Sequence, residues 1–445
     1  MKFRFSGIFM VLLFNIICYT LLYFYPDAPG KEKLLFGMAV VCAVILASYI
    51  LIYALNLGDA YPFLIVSMLA SISIIILYSL GIQQLATGII PENEIPMIEI
   101  AQRQIMWFLV SVVVFFAGYF IYRFLKIWDK LFWGYVGLAA VLFIITLLFA
   151  NDNVEKGVKN WITIGGISIQ PSEFIKLSFC FAMAYLFSQK RKIEGIRARL
   201  YVVTKEDWLA TAIVYGSMLL FLLQGELGTA VLFFLMYMAL MIAYDVPWVM
   251  PVGNGLLVVL ALFVVFKFGD SIGPLSRAME RFEIWMDPEV YNYGEELGKP
   301  YGTEHMYNSL RAICSGGFFG VGLGRSGIYY LAAIESDLVF SAICYEMGIF
   351  MGFAVIMMYF ILAYRGYKIA MEVNDSFNRA LAITIVTSIA IQAFIIIAGV
   401  TKLIPLTGIT LPFVSAGGSS MVISFAMIGI LTAISHNKEK SAFSS

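Results

Sequence analysis

Twelve apolar runs, each near the length of about 20 residues that a helix needs to cross a bilayer, succeed one another along this chain. They fall at 8–25, 34–55, 61–82, 105–126, 131–150, 172–188, 208–224, 228–246, 248–268, 338–364, 378–400 and 413–435. No water-soluble surface accommodates them. Hydrophobic residues make up 61% of the chain and charged residues 13%, where a soluble domain carries about 25% charged residues. The expected fold class is an all-α polytopic membrane protein, since a bilayer admits helices that satisfy their own backbone. Lys and Arg balance Asp and Glu to zero net charge, leaving no basic excess for nucleic acid; membrane lipid is the expected surrounding partner.

The five cysteines share no CxxC spacing and the chain has two histidines, so neither a disulfide framework nor a metal cluster is expected. The first apolar run ends in no small-residue cleavage site and reads as a retained helix.

Basic residues orient the runs. The segment 189–207 holds Lys190, Arg191, Lys192, Arg197, Arg199 and Lys205, which assigns it to the cytoplasm. Alternation then puts Arg123, Lys126, Lys130, Arg365, Lys368, Arg379 and the tail with Lys438 and Lys440 on the same side, with both termini cytoplasmic. The connections 83–104, 151–171, 269–337 and 401–412 are exported. The third is far longer than an ordinary connection, and its acids outnumber its bases. Chemistry is expected on that face.

Four exported stretches carry motif-like patterns. In GVKNWITIGGISIQPSEFIKL (157–177), Pro171 can start a helix, and Ser172 with Glu173 offers capping chemistry. A well-capped helix start would account for that much. Lys159, Trp161, Gln170, Glu173 and Lys176 nevertheless concentrate polar and aromatic groups at the membrane edge, suited to a sugar or a lipid pyrophosphate. Trp161 taken alone is more often an interfacial anchor than a ligand. In QGELGTA (224–230), Glu226 falls near the bilayer boundary, where an ionisable group faces a cavity or a partner unless a re-entrant turn satisfies it.

The third stretch runs from 309 to 348. Its five glycines between Gly316 and Gly324 allow sharp turns and close approach. It has no Walker lysine, which argues against a nucleotide site. Glu335, Asp337 and Glu346 place carboxylates at and inside the membrane edge, where they need cations or donors. Arg311, Arg325 and Lys402 are the candidates. The fourth, TKLIPLTGITLPFVSAGGSS (401–420), is broken by Pro and Gly, which at membrane depth implies a cavity lining.

Together these stretches resemble the SEDS family (shape, elongation, division and sporulation) of peptidoglycan polymerases. GVKNWITIGGISIQPSEFIKL is similar to GAxRWxxxGxxxxQPSExxKL, and QGELGT to QPDLGT. SGGFFGVGLGRS is similar to SGGxxGxGxG, ESDLVFSAICYEMG to PExHTDFIFAxxxEELG, and IPLTGITLPFVSAGGSS to LPxTGxPLPFxSYGGSS. The motifs keep family order over roughly 61–436.

The resemblance implies a SEDS-type bundle of ten core helices starting at 61–82, plus two extra N-terminal helices, with the long extracellular loop between the ninth and tenth core-and-addition spans. The implied units are 1–57 as a two-helix addition, 58–436 as the core with the loop 269–337, and 437–445 as a tail. It implies polymerisation of lipid II at the outer face of the bacterial cytoplasmic membrane, beside a class B penicillin-binding protein transpeptidase, for elongation, division or sporulation. The implied substrate-binding set is Lys159, Trp161, Gln170, Glu173, Lys176, Glu226, Arg311, Glu335, Asp337, Glu346, Lys402 and Ser415. An α-linked donor giving a β-1,4 product needs one inverting displacement, with a carboxylate base and positive charge on the leaving pyrophosphate. No cofactor is expected, with a divalent cation on the pyrophosphate left open.

One departure matters. The family's long loop has two DP pairs, and the second Asp is its essential carboxylate. Here Asp287 and Pro288 match the first pair, while the second falls near Gly298 and Lys299. The candidate catalytic bases are therefore Asp287, Glu295, Glu296 and Glu304. Two other readings stand beside the enzyme: a non-catalytic scaffold of the wall machinery, and a lipid-linked-sugar transporter or flippase, for which no inverted repeat is visible.

Overall fold

The computed structural model describes residues 5–25, 31–88, 95–150, 160–164, 167–189, 203–268, 273–286, 303–325, 327–328, 331 and 333–442. Helices α1 (Phe5–Tyr23) and α2 (Lys31–Ala54) lead into α3 (Tyr61–Thr87), α4 (Met97–Phe124), α5 (Phe132–Phe149) and α6 (Pro171–Ser188). Then come α7 (Lys205–Gln224), α8 (Leu227–Ala243), α9 (Val249–Phe268), α10 (Gly273–Met286) and α11 (Thr303–Gly316). The last three are α12 (Val339–Glu372), α13 (Ser376–Val400) and α14 (Gly418–Ala442). Every apolar run overlaps a helix, so the helical, multi-pass expectation holds. A small antiparallel hairpin, β1 (Ile162–Ile164) with β2 (Ile167–Ile169), is added to it.

Among the described residues, nine helices are long and apolar enough to cross a membrane, and α8 and the first part of α9 are shorter apolar helices. Burial sorts these helices into layers. In α3 and α14, 89% of the apolar window is buried, and in α13 72%, against 22% in α5 and α7. The inner three therefore build the core, while outer helices leave side chains such as Leu148, Leu223 and Phe360 exposed. Lipid tolerates those side chains, so packing here is driven by close fit and polar contacts instead of by flight from water. The helix α14 lies along α4, α13 lies along α12 and α6, and α5 lies along α6. The first two helices lean on the core, α1 against α3 and α2 against α3 and α4. Asn15, fully buried on α1, donates to Ser71 Oγ of α3 at 3.1 Å.

Element ends differ from the apolar runs where polar contacts intervene. The helix α4 starts at Met97, ahead of its run, because Met97 N–H donates to Gln84 Oε1 of α3 at 2.8 Å. The helix α14 starts at Gly418, inside its run, because the chain is still turning before it: Phe413 holds a φ of 69° and Leu411 N–H donates to Ser415 Oγ at 2.8 Å. The long connection 269–337 is not all loop. It holds two amphipathic helices, α10 and α11, which bury Ile284, Met306 and Ala312 while Met286, Tyr307 and Arg311 stay exposed.

Contacts divide the bundle into two ends. At one, Asp59 N–H donates to Ser435 Oγ at 2.8 Å, Arg365 stacks over the Tyr61 ring at 4.1 Å, and Tyr122 bonds Asn378. At the other, the hairpin, the break between α7 and α8, the glycine-rich stretch and the turn 401–417 come together.

Candidate functional site

The hairpin delivers Gln170 to the start of α6. Its register pairs Ile162 with Ile169 and Thr163 with Ser168, and Gln170 N–H then donates to Ser419 Oγ at 3.3 Å. Pro171 occupies the first helical position, as its fixed φ and missing N–H favour. The expected side-chain cap is absent: neither Ser172 nor Glu173 caps α6. Both are drawn instead into a buried polar network. Ser172 Oγ donates to Glu226 Oε1 at 3.4 Å, and Gln170 Nε2 donates to the same oxygen at 3.4 Å.

Glu173 and Lys176, three residues apart, share one face of α6 and form an ion pair through Glu173 Oε2 and Lys176 Nζ. Their side chains are 7% and 3% exposed, so both charges have left water and depend on each other. Lys176 Nζ also donates to Gln392 Oε1 of α13 at 2.7 Å. Gln392 Nε2 in turn donates to the Thr410 carbonyl at 2.9 Å, and Thr410 Oγ1 shares a hydrogen bond with Ser420 Oγ at 2.9 Å. The network thus ties α6 and α13 to the turn 401–417 and the start of α14. A small cleft of about 10 Å³, room for about one water molecule, opens on it, bounded by Gln170, Glu173, Lys176, Thr229, Gln392 and Thr410.

Glu226 lies in the break between α7 and α8, where Gly225 closes α7 in the left-handed conformation. Burial pushes its carboxyl above the ordinary carboxylate range, and hydrogen bonds from Asn160, Thr229, Gln170 and Ser172 oppose that rise. The break is accordingly more than a self-satisfied turn, since its carboxylate faces α6. The cleft wall carries the Glu173 carboxyl and the Lys176 ammonium, and the Glu226 carboxyl lies behind it, bonded to Gln170 and Ser172 of the wall.

A second group surrounds Ser415. Its Oγ donates to the Ser336 carbonyl at 2.6 Å and accepts from Leu411 N–H at 2.8 Å, while Ala416 N–H donates to the Glu335 carbonyl at 2.8 Å. Ser415 therefore aligns the strip 335–337 against the turn 401–417 and has no free hydroxyl proton for a substrate. Glu335 and Asp337 are half-buried beside it. Glu346 is buried within α12, just before a break at Gly348, whose φ is 82°. The break frees two carbonyls, and the glycine-rich stretch uses them. Val321 N–H donates to Tyr345 O and Gly322 N–H to Glu346 O, both at 2.9 Å. Gly320 must be glycine there, because an added Cβ would stand 2.1 Å from Glu346 O.

Other expected residues sit differently. Arg311 lies exposed on α11, and Lys402 enters through its carbonyl, to which Trp285 Nε1 donates at 3.0 Å. Lys176 is bonded to the buried Glu173 carboxylate. Trp161 is half-buried beside the hairpin. Lys159, Asp287, Glu295 and Glu296 lie outside the described residues; Glu304 falls in the first turn of α11, its side chain likewise outside them. The helix α10 is pinned just before Asp287, through Trp285 and through Arg281 Nη1, which donates to the Thr407 carbonyl at 3.0 Å. Gln392, Thr410 and Ser420 were not among the expected site residues. Gln392 was detectable as a lone amide inside the apolar run IAIQAFII.

A family model described as a cell cycle protein, FtsW/RodA/SpoVE, matches residues 59–440. Stage V sporulation protein E of Bacillus subtilis is 30% identical over 340 residues, covering 75% of this chain and 86% of that protein. The peptidoglycan glycosyltransferase RodA of Mycobacterium bovis is 31% identical over 354 residues, covering 76% of this chain and 71% of that protein. Among solved structures, a chain from a study of polymerization and crosslinking by a peptidoglycan synthase complex superposes with a TM-score of 0.64. That match has 20% identity and covers 86% of this chain and 98% of the other.

Proposed function

The chain belongs to the FtsW/RodA/SpoVE family, and we propose that it polymerises lipid II into glycan strands at the outer face of the bacterial cytoplasmic membrane. It is a peptidoglycan glycosyltransferase working in the membrane, and its product serves elongation, division or sporulation. In this reading the end of the bundle that carries the cleft is the exported end, and both termini are cytoplasmic. Residues 58–436 form the ten-helix core, 1–57 the two-helix addition and 437–445 the tail. A class B penicillin-binding protein is the partner that cross-links the strands.

The observation that carries the reading is the buried Glu173–Lys176 pair opening, with Gln170 and Gln392, onto the cleft. A preorganised ammonium among fixed donors is suited to an anion whose charge grows as a bond breaks. In the reaction, the acceptor 4-hydroxyl attacks the anomeric carbon of the donor sugar. The bond from that carbon to the pyrophosphate oxygen breaks, and polyprenyl pyrophosphate leaves with the electron pair. A carboxylate takes the hydroxyl proton; Asp287, Glu295, Glu296 and Glu304 are the candidates, worth about 10² to 10⁴ in rate. Lys176 lies with the leaving charge, and Glu173 and Gln392 hold it there. Glu226 with Gln170 and Ser172 shapes the wall that meets the sugar.

Purified chain incubated with lipid II, alone and with its transpeptidase partner, tests this. Glycan strands resolved by gel are the expected product, and folded protein that yields none in either mixture overturns the enzyme. The scaffold reading has one observation behind it, namely Gly298 and Lys299 where the family keeps its second Asp.

A further inference from the structure

The first two helices precede the residues that the family shares, yet they reach the site. Asn15 bonds α1 to Ser71 of α3, and the Tyr19 ring meets Tyr78 edge-on at 6.1 Å. This anchoring sets where α1 ends. Just past that end, the Tyr25 ring lies against Gly324: a Cβ added to the glycine would stand 3.0 Å from Tyr25 Cδ2 and 3.3 Å from Cε2. On its other side, Gly324 N–H donates to the buried Ser79 Oγ of α3 at 2.6 Å. Gly324 holds a φ of 79°, so the chain turns sharply at this gripped point. The grip falls between two parts of the site. Two residues earlier, Gly322 bonds the Glu346 carbonyl; beyond it come Glu335, whose carbonyl Ala416 reads, and Asp337.

We propose that the first two helices are a positioning element for the glycosyl-transfer site, and that Tyr25 is the positioning residue. Its ring closes Gly324 against Ser79 and so holds the glycine-rich stretch, Glu346 and the strip 335–337 in register with the turn 401–417. The role rests on the functional reading above, although the grip itself can be tested without it.

Tyr25→Ala, Tyr25→Phe and Ser79→Ala are compared with the unaltered full-length chain in lipid nanodiscs, by hydrogen exchange and by lipid II polymerisation. Tyr25→Ala and Ser79→Ala each should exchange about tenfold faster over 316–325, with α13 and α14 unchanged. Their kcat should fall about fivefold with KM for lipid II held within about twofold, as expected for lost positioning without lost binding. Tyr25→Phe, which keeps the ring, should match the unaltered chain in both measurements. The proposal is overturned if both truncations leave exchange over 316–325 unchanged, or if the faster exchange spreads evenly through α13 and α14. A Phe variant as impaired as the Ala variant also overturns it, because the contact is made by the ring. If the unaltered chain polymerises nothing, the functional reading fails while the exchange data still decide the grip.

Discussion

Lys176 Nζ stands 2.7 Å from Gln392 Oε1, so an ammonium buried on α6 is held in part by an amide on α13. Glu173 takes the same ammonium from its own helix. The attraction offsets the desolvation of both charges only while both remain, and the amide fills a further donor position. The site is therefore rigid because its polar groups have no water to fall back on.

Lys176→Met should separate stability from chemistry. It leaves the Glu173 carboxylate buried without its cation, at a cost of about 3–5 kcal/mol. Thermal unfolding in detergent should show that loss, and lipid II polymerisation should fall by at least about 100-fold. Adding Glu173→Leu removes the stranded charge and should restore most of the stability without the activity. A double variant that polymerises normally would remove the pair from the mechanism.

Glu226 makes a prediction in pH. Its folded carboxyl is raised by burial, so between the ordinary Glu value of about 4.3 and its own higher value the folded chain binds more protons than the unfolded chain. Stability contributed by this group is present at low pH and declines as pH rises through that window. Glu226→Gln keeps an acceptor for Gln170 and Ser172 but cannot ionise. Melting temperatures of the two proteins should diverge above the ordinary Glu value, the Gln variant melting higher. Parallel curves would mean that the Glu226 carboxyl titrates alike in the folded and unfolded chain, so that burial does not raise it.

Two glycines one turn apart should behave unequally. Gly317 has a φ of 60° with nothing within 4 Å of an added Cβ, whereas Gly320, at 81°, would drive its Cβ to 2.1 Å from Glu346 O. Gly317→Ala should therefore cost only the left-handed penalty of about 1 kcal/mol. Gly320→Ala must also displace the backbone junction with α12, so its unfolding midpoint should drop well below that of Gly317→Ala. Polymerisation should fall with it. Equal midpoints would show that the junction does not matter to stability.

Much of this arrangement was legible residue by residue. The spacing of Glu173 and Lys176 puts them on one helical face, where the structure pairs them, and Glu226 in the QGELG break is bonded to Gln170 and Ser172. The capping expectation for Ser172 and Glu173 failed because local preference competes with tertiary donors and acceptors, and here Glu226 and Lys176 win. The hairpin had a signal, ITI and ISI flanking Gly165 and Gly166, that membrane-span counting passes over. The helices α10 and α11 were hidden because an acidic connection has too few apolar residues for a span, yet enough for one buried face. Gln392 was missed because one amide in an apolar run says that a partner exists without saying which.

The identity of the base is the remaining chemical question, and α10 makes Asp287 the expected answer. Trp285 is fixed to the Lys402 carbonyl, and Arg281 to the Thr407 carbonyl, on the turn whose Thr410 lines the cleft. Asp287 follows Trp285 by two residues, a tether of about 7 Å at full extension. Glu295 and Glu296 lie eight or more residues further along, and Glu304 belongs to α11. Alanine variants of the four should thus diverge, with Asp287→Ala losing about 10² to 10⁴ in lipid II polymerisation and the other three retaining most of theirs. Asp287→Glu, longer by one methylene, should recover a part of the rate if reach is what matters. Growth of a strain lacking the native chain supplies the counter-test, since rescue by all four alanine variants would favour the scaffold over the enzyme.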